Sequence, residues 1–280
     1  MLSYLHAFHA GNFADVQKHA ALSLALTMMQ AKKSAIACFD THAGSARYDL
    51  RSERARKTAE ADAGVQVLWR IREQLACSDW EPVLKVLAED NPGDGPLQDY
   101  PGSPAWFARL SRPGDVVTAF ELHPAEERQL AGWANEAGVK VRHEDGLKGL
   151  LKCLPPPQPR MLTLIDPSYE IKSDYEAVAH TLARAWKKCR HGVYLVWYPI
   201  LTSGLEQKLT EVLQTSGAVR KVLKSEVTLD QPPERGMVGS GMLIINPPWG
   251  FDERLGAMMA DLHGPGRLGL SHGMEWLIPE

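Results

Sequence analysis

The chain reads as an α/β protein with a mostly parallel sheet of seven strands and a small helical insertion. Three observations carry this reading. Short apolar runs recur along the chain, each of strand length rather than helix length. Four successive runs end in acids, at Asp40, Glu121, Asp145 and Asp166. Segments with apolar residues at helical spacing separate the runs, as crossovers between parallel strands require.

Taken in order, residues 1–11 contain Tyr4, His6, His9 and Gly11, and Asn12 is a good helix N-cap with Asp15 three positions on. Val16, Ala20, Leu24 and Met28 then fall on one face. Lys18 and His19 lie in the early turns, either on a polar face or presented to a cleft. Ala35 to Phe39 is the first strand. It runs into Asp40-Thr41-His42-Ala43-Gly44-Ser45-Ala46, the first small-residue turn after a strand and the place for a nucleotide or nucleoside. With one glycine the turn is a weak motif by itself, and His42 is equally a loop histidine.

A ribose-binding acid ordinarily follows such a turn by about 20 residues. Here Glu121 comes 81 residues after Asp40. The interval is helical in character over 55–76 and 80–88, with Val65, Leu68, Ile71 and Leu75 at helical spacing, and closes on the turn residues Asn91 to Pro96. The expected division is therefore a sheet domain of residues 1–46 and 100–280 with an inserted helical subdomain of residues 47–99. Ser103 before Pro104 signals a helix start, with Ser103 as N-cap.

The second strand, Val116 to Phe120, ends at Glu121, either a ribose ligand or a cap before Pro124. After a helix over 124–136, Val139 to His143 is the third strand, and Asp145 follows as a candidate acceptor for an adenine amino group. A proline-rich linker, Pro155 to Pro159, leads into Met161-Leu162-Thr163-Leu164-Ile165 and then Asp166-Pro167-Ser168-Tyr169. Proline restricts its own φ and the residue before it, which poses Asp166. An acid, exposed carbonyls and an aromatic ring together suit a planar base with an exocyclic amine. Alone, the same residues are simply a strand that turns. Val193 to Trp197, Val219 to Leu229 and Met242 to Ile245 complete the seven strands, with helices over 175–188 and 205–213. Asn246-Pro247-Pro248-Trp249 also follows a buried strand, but it arrives after a hairpin and lacks a carboxylate, so it reads as a structural turn.

Composition is ordinary for a globular protein, 44% hydrophobic and 23% charged. A net charge of −3 excludes a global basic field, so nucleic-acid contact must come from local patches such as Arg51, Arg54, Arg56 and Lys57, or Lys187, Lys188 and Arg190. Cys38, Cys77, Cys153 and Cys189 form no CxxC pair, which indicates free thiols in a reducing compartment. The N-terminus lacks the apolar stretch of a signal peptide, so a cytoplasmic location is expected.

Taken jointly, His6-x-Phe8-His9-Ala10-Gly11-Asn12, Asp40-Thr41-His42-Ala43-Gly44, Tyr100-Pro101-Gly102-Ser103-Pro104, Glu121-Leu122-His123-Pro124, Asp145-Gly146, Ile165-Asp166-Pro167, Trp197-Tyr198-Pro199 and Ile245-Asn246-Pro247-Pro248-Trp249 span nearly the whole chain. With these motifs the sequence resembles the bacterial 23S ribosomal RNA adenine-N6 methyltransferase J family. The resemblance implies a Rossmann-like class I methyltransferase that uses S-adenosyl-L-methionine to methylate N6 of one adenine in 23S ribosomal RNA, naked or in an early assembly intermediate. It implies cofactor contacts at Lys18, His19, His42, Ser103, Glu121, Asp145, Gly146 and Asp166. Asp166, with Pro167 and Tyr169, maps to the catalytic turn, and Tyr4 to a contact with the substrate RNA. The family usually reads Asp-Pro-Pro-Tyr, and Ser168 replaces the second proline, which loosens the turn. Ser45-Ala46 stands where Ala-Gly is common.

The chemistry needs no metal and no covalent intermediate. Asp166 and the Pro167 carbonyl would accept the two amine hydrogens and aim the nitrogen lone pair, Asp166 would take the released proton, and Tyr169 would stack on the extruded base. A monomer is expected. Two other readings stay open from the residues: a methyltransferase acting on DNA adenine or a protein amide, and an inactive nucleic-acid binder of the same fold.

Overall fold

The computed structural model describes residues 5–279. Asn12 caps the first helix, α1 (Phe13–Met29), by accepting the Asp15 backbone N–H at 2.9 Å. The single apolar face anticipated for this helix is too modest. α1 is buried on nearly all sides, Lys18 and His19 included, as expected of a helix at the centre of a large domain. The following strand, β1 (Ile36–Asp40), is buried throughout.

A short antiparallel ribbon, β2 (Arg47–Asp49) with β3 (Asp99–Pro101), brackets four α-helices, α2 (Glu53–Thr58), α3 (Glu60–Ala63), α4 (Val65–Arg70) and α5 (Glu81–Asp90), and two 3-10 turns, Arg72–Gln74 and Ser78–Trp80. The continuous helix anticipated over 55–76 is broken where the chain meets the N-terminal segment. Ala59 takes a left-handed φ of 53°. A Cβ on Gly64 would lie 2.2 Å from the Gly11 carbonyl oxygen, so the backbones touch there and the helix cannot run through.

The chain then alternates α6 (Ser103–Leu110), β4 (Val116–Phe120), α7 (Pro124–Ala137), β5 (Lys140–Arg142), α8 (Gly146–Cys153), β6 (Arg160–Ile165), α9 (Asp174–Lys188), β7 (Val193–Leu201), α10 (Gln207–Ser216), β8 (Val222–Leu229), β9 (Met237–Ile245), α11 (Phe251–Ala260) and β10 (Leu270–Ile278). Gly102, not Ser103, is the N-cap of α6. A Cβ on Gly102 would lie 2.1 Å from the Ser45 carbonyl oxygen, so the helix starts flush against the first turn.

The main sheet has eight strands among the described residues, in the order β10-β8-β9-β7-β6-β1-β4-β5, which corrects the expected seven. The pairings from β7 to β5 are parallel, and β7-β9, β9-β8 and β8-β10 are antiparallel. The additional strand is β10 at the edge. Most of its positions are partly or fully exposed, so it carries no apolar run to announce it. The sheet is thus parallel at its centre with an antiparallel hairpin edge.

Two apolar clusters cover its faces. One joins α1, α6, α7 and α11 with the helical pieces at 61–87. The other joins α8, α9 and α10, through Leu150, Val178, Leu182, Leu209 and Leu213. The strands β6, β1, β4 and β5 are consecutive neighbours and point the same way. Their acids therefore share one edge of the sheet, the carboxyl edge where such folds bind ligands.

Candidate active site

The turn after β6 is held by contacts from three other elements. Asp166 sits at the strand tip with its side chain 12% exposed, and one oxygen accepts from Lys18 Nζ at 2.6 Å. Lys18 reaches it from α1 and also bonds Asp15 one turn earlier, at 2.7 Å. Asp15 in turn accepts from the Gly11 backbone N–H at 2.8 Å and lies 2.9 Å from His6 Nε2. The result is a buried chain His6–Asp15–Lys18–Asp166. Burial opposes the charge on Lys18, but the two carboxylates outweigh it and hold its pKa above the ordinary lysine value. Asp15 is also buried, yet His6 and Lys18 bring its pKa well below the usual carboxylate range. For Asp166 the balance differs: burial raises its pKa, and Lys18 only partly opposes this. Asp166 therefore has a greater proton affinity than an exposed aspartate.

Tyr169 has a φ of 53°, a left-handed conformation that costs an aromatic residue energy unless its neighbours fix it. Here they do. Its hydroxyl donates to the Trp197 carbonyl at 2.7 Å, and its ring stacks on Tyr175 at 4.4 Å between centroids. The side chain is 7% exposed. One face is therefore committed to Tyr175, and a base can reach the ring only if it turns outward. These two anchors also hold the turn in place of the second proline, at whose position Ser168 stands. Trp197 on β7 completes this wall, with its ring 6.1 Å from Tyr169 and 5.7 Å from the Lys18 ammonium.

Asp40, one strand over, is fully buried, and no hydrogen bond of ordinary geometry reaches either carboxyl oxygen. Burial pushes its pKa up to about 7; Asp166 adds to this, while the nearby Ser103 hydroxyl and Lys18 act against it. Ser103 is buried in the first turn of α6. In the loop after Asp40, His42 is crowded enough that burial lowers its pKa to about 4, which leaves it neutral. Ser45 donates its hydroxyl to Glu126, so it faces the neighbouring helix.

Glu121 is tied to the same loop. Its two oxygens accept from the Gly44 N–H at 2.7 Å and the His123 N–H at 2.6 Å, which leaves lone pairs for further donors. Asp145 caps α8 through the Lys148 N–H at 3.1 Å. Burial raises its pKa, but that bond and the Lys148 ammonium lower it further. Gly146 is a packing requirement: a Cβ there would lie 1.7 Å from the Thr41 carbonyl oxygen.

Lys18, His42, Ser103, Glu121, Asp145, Gly146 and Asp166 thus gather along the tips of β6, β1, β4 and β5. His19 stands apart. It is buried against Trp106 with ring centroids 5.0 Å apart, and its Nδ1 lies 2.6 Å from the Tyr100 hydroxyl. Burial holds its pKa well below the usual value. Tyr4 lies outside the described residues. Asp15, Tyr175 and Trp197 join the site as well, although the sequence reading did not place them there. Of these, only the Asp15–Lys18 spacing of three residues on a helix gave a local signal.

Comparison with known proteins agrees with this arrangement. The sequence profile of the family described as ribosomal RNA large subunit methyltransferase D, RlmJ, matches residues 33–273. The ribosomal RNA large subunit methyltransferase J of Escherichia coli K12 is 37% identical across the full length of both chains. That of Haemophilus influenzae is 35% identical, again over both full lengths. A crystal structure of a Legionella pneumophila protein, 32% identical, superposes with a TM-score of 0.88 over 96% of this chain and 98% of the other. With most of its length matched and full-length relatives above 30% identity, the chain belongs to the ribosomal RNA large subunit methyltransferase J family.

Proposed function

We propose that the cleft at the tips of β6, β1, β4 and β5 methylates N6 of a specific adenine in 23S ribosomal RNA. Family membership makes the protein an S-adenosylmethionine-dependent ribosomal RNA methyltransferase, so its substrate is RNA. The observation that carries the site reading is the buried Asp166, fixed by Lys18 at the tip of the strand beside Asp40.

The cofactor fits this cleft on one structural ground. Asp40 offers two buried acceptor oxygens without aligned partners, and S-adenosylmethionine carries both an ammonium and a sulfonium cation. We assign its binding to the loop 40–46 with Lys18, His42, Ser103, Glu121, Asp145, Gly146 and Asp166, and His19 to supporting the α1–α6 contact from within the core. When bound, the cofactor supplies an electrophilic methyl group. The protein's part is positioning. Asp166 accepts one hydrogen of the adenine amine and the Pro167 carbonyl accepts the other, which turns the nitrogen lone pair out of the ring plane. Lys18 fixes the carboxylate in one pose. Asp166 then takes the released proton, directly or through water, a role suited to its raised proton affinity. Tyr169 anchors the turn and, once swung outward, stacks on the base; Tyr4 contacts the RNA.

In this reading the enzyme acts as a cytoplasmic monomer on naked RNA or an early assembly intermediate, with no metal. Among the described residues, no helix is long and apolar enough to cross a membrane. The test is labelled-methyl transfer from S-adenosylmethionine to 23S ribosomal RNA, DNA and protein in parallel, followed by nucleoside mass spectrometry. N6-methyladenosine in the RNA alone is expected. Label in DNA or protein with none in RNA contradicts the assignment.

A further inference from the structure

The motif Asn246-Pro247-Pro248-Trp249 plays no part in the cleft. β9 runs antiparallel to β7, with Ile245 opposite Tyr194, so this turn lies at the amino edge of the parallel strands. It is separated from Asp166 by about a strand length, ~17–20 Å. Trp249 is 96% exposed, on a turn that is pinned on both sides. The Asn246 side chain donates to the Arg190 and Gly192 carbonyls, and its backbone N–H to the Lys221 carbonyl at 3.0 Å. Two prolines restrict the backbone, the Phe251 N–H closes onto the Pro248 carbonyl at 3.0 Å, and the Phe251 ring is fully buried as an anchor. A large apolar ring in water lowers no folding energy, yet the surrounding chain is built to present it.

The clamp also joins this turn to segments that carry basic residues. Segments 187–192, 219–222 and 246–253 contain Lys187, Lys188, Arg190, Arg220 and Lys221 against Asp252 and Glu253, in a protein of net charge −3. The helix dipole accounts for Lys187 and Lys188 at the end of α9. It does not account for Arg190 and Arg220, both exposed. An unburied flat ring on a turn clamped to segments with exposed arginines suits unpaired nucleotides: the ring can stack on a base and the cations can meet the flanking phosphates.

We propose that this turn is a second RNA-docking site, in which Trp249 stacks on an unpaired base and Arg190 and Arg220 contact its phosphates. The proposal rests on the RNA-methyltransferase reading and names where a long substrate is held away from the reacting adenine. Charge complementarity favours RNA over a second copy of the chain as the occupant.

The experiment measures affinity of the full-length protein for a 23S ribosomal RNA transcript at several salt concentrations, alongside methyl transfer to a short transcript carrying the modified adenine. Trp249→Ala is expected to weaken binding of the long RNA at least about fivefold, Trp249→Phe to restore most of it, and transfer to the short transcript to stay at the wild-type rate. The double variant Arg190→Gln, Arg220→Gln is expected to lower the salt dependence of log affinity by about one to two. Unchanged affinity of a folded Trp249→Ala protein overturns the proposal, as does an effect confined to sedimentation mass, which makes this face a contact between copies. Absence of transfer by the wild type is a separate result and overturns the methyltransferase site instead.

Discussion

Two turns in this protein share a local recipe and differ in everything that follows. Asp166-Pro167-Ser168-Tyr169 and Asn246-Pro247-Pro248-Trp249 each follow a buried strand, contain proline, end in an aromatic ring and include a residue at φ 53°. In the first turn the ring is 7% exposed and the polar residue is an acid paired with a buried lysine; in the second the ring is 96% exposed and the polar residue donates to carbonyls. Strand direction makes the difference. β6 delivers its turn to the edge where β1, β4 and β5 also end, whereas β9 runs the other way. A short motif thus acquires its chemistry from the edge of the sheet that it reaches.

The largest effect expected from breaking the first turn comes from Lys18→Met. It leaves Asp166 buried without a cation and Asp15 with only His6 and the Gly11 N–H, so stability falls by about 3–5 kcal/mol at neutral pH. Calorimetric unfolding checks this, and the gap from wild type should narrow on acidification as the carboxylates are neutralised. The second turn has no comparable buried charge to expose.

Next in size is the pH dependence set by Asp40. Its folded pKa of about 7 lies above its unfolded value, so the folded state holds the extra proton. Its contribution is fully present below about pH 4 and is lost as pH rises toward 7. Asp40→Asn should remove that decline, giving a variant more stable than wild type by a few kcal/mol at pH 8 in the absence of cofactor. Denaturant titrations at pH 5 and pH 8 measure it.

At the second turn, Asn246→Ala removes two hydrogen bonds and places a poorly suited residue at positive φ, with an expected cost of roughly 1–3 kcal/mol. Methyl transfer to a short RNA by the folded fraction should not change. The smallest effect is Tyr169→Phe, which loses one bond to the Trp197 carbonyl and about 1 kcal/mol. If its transfer rate falls as well, the anchor positions Asp166; if Asn246→Ala reduces the rate more, the contrast between the turns fails.

Much of the sheet was legible because its central strands are apolar runs with acids at their tips, and a parallel order follows from the helices between them. Strand β10 escaped because an exposed edge strand carries no apolar run. The break in the helix at residues 59–64 depends on Gly64 meeting Gly11, a contact 53 positions away in sequence. At the site, the acids and their shared edge could be read, but their partners could not. Lys18 and Asp166 are 148 residues apart, and no local pattern joins them. Likewise Tyr169 looked like an open platform, and only the packing of Tyr175 and Trp197 shows it folded inward. Asp145 is a helix cap as well as a strand-tip acid, a duality that residue type alone leaves open.

The most direct measurement pairs cofactor binding with methyl transfer for one variant, Asp166→Asn, which keeps the shape of the side chain and removes its charge. S-adenosylmethionine binding heat is expected to stay within severalfold of wild type, and the transfer rate to 23S ribosomal RNA to fall by at least about 100-fold. Transfer at the wild-type rate by a folded, cofactor-binding Asp166→Asn enzyme would contradict the catalytic role of Asp166.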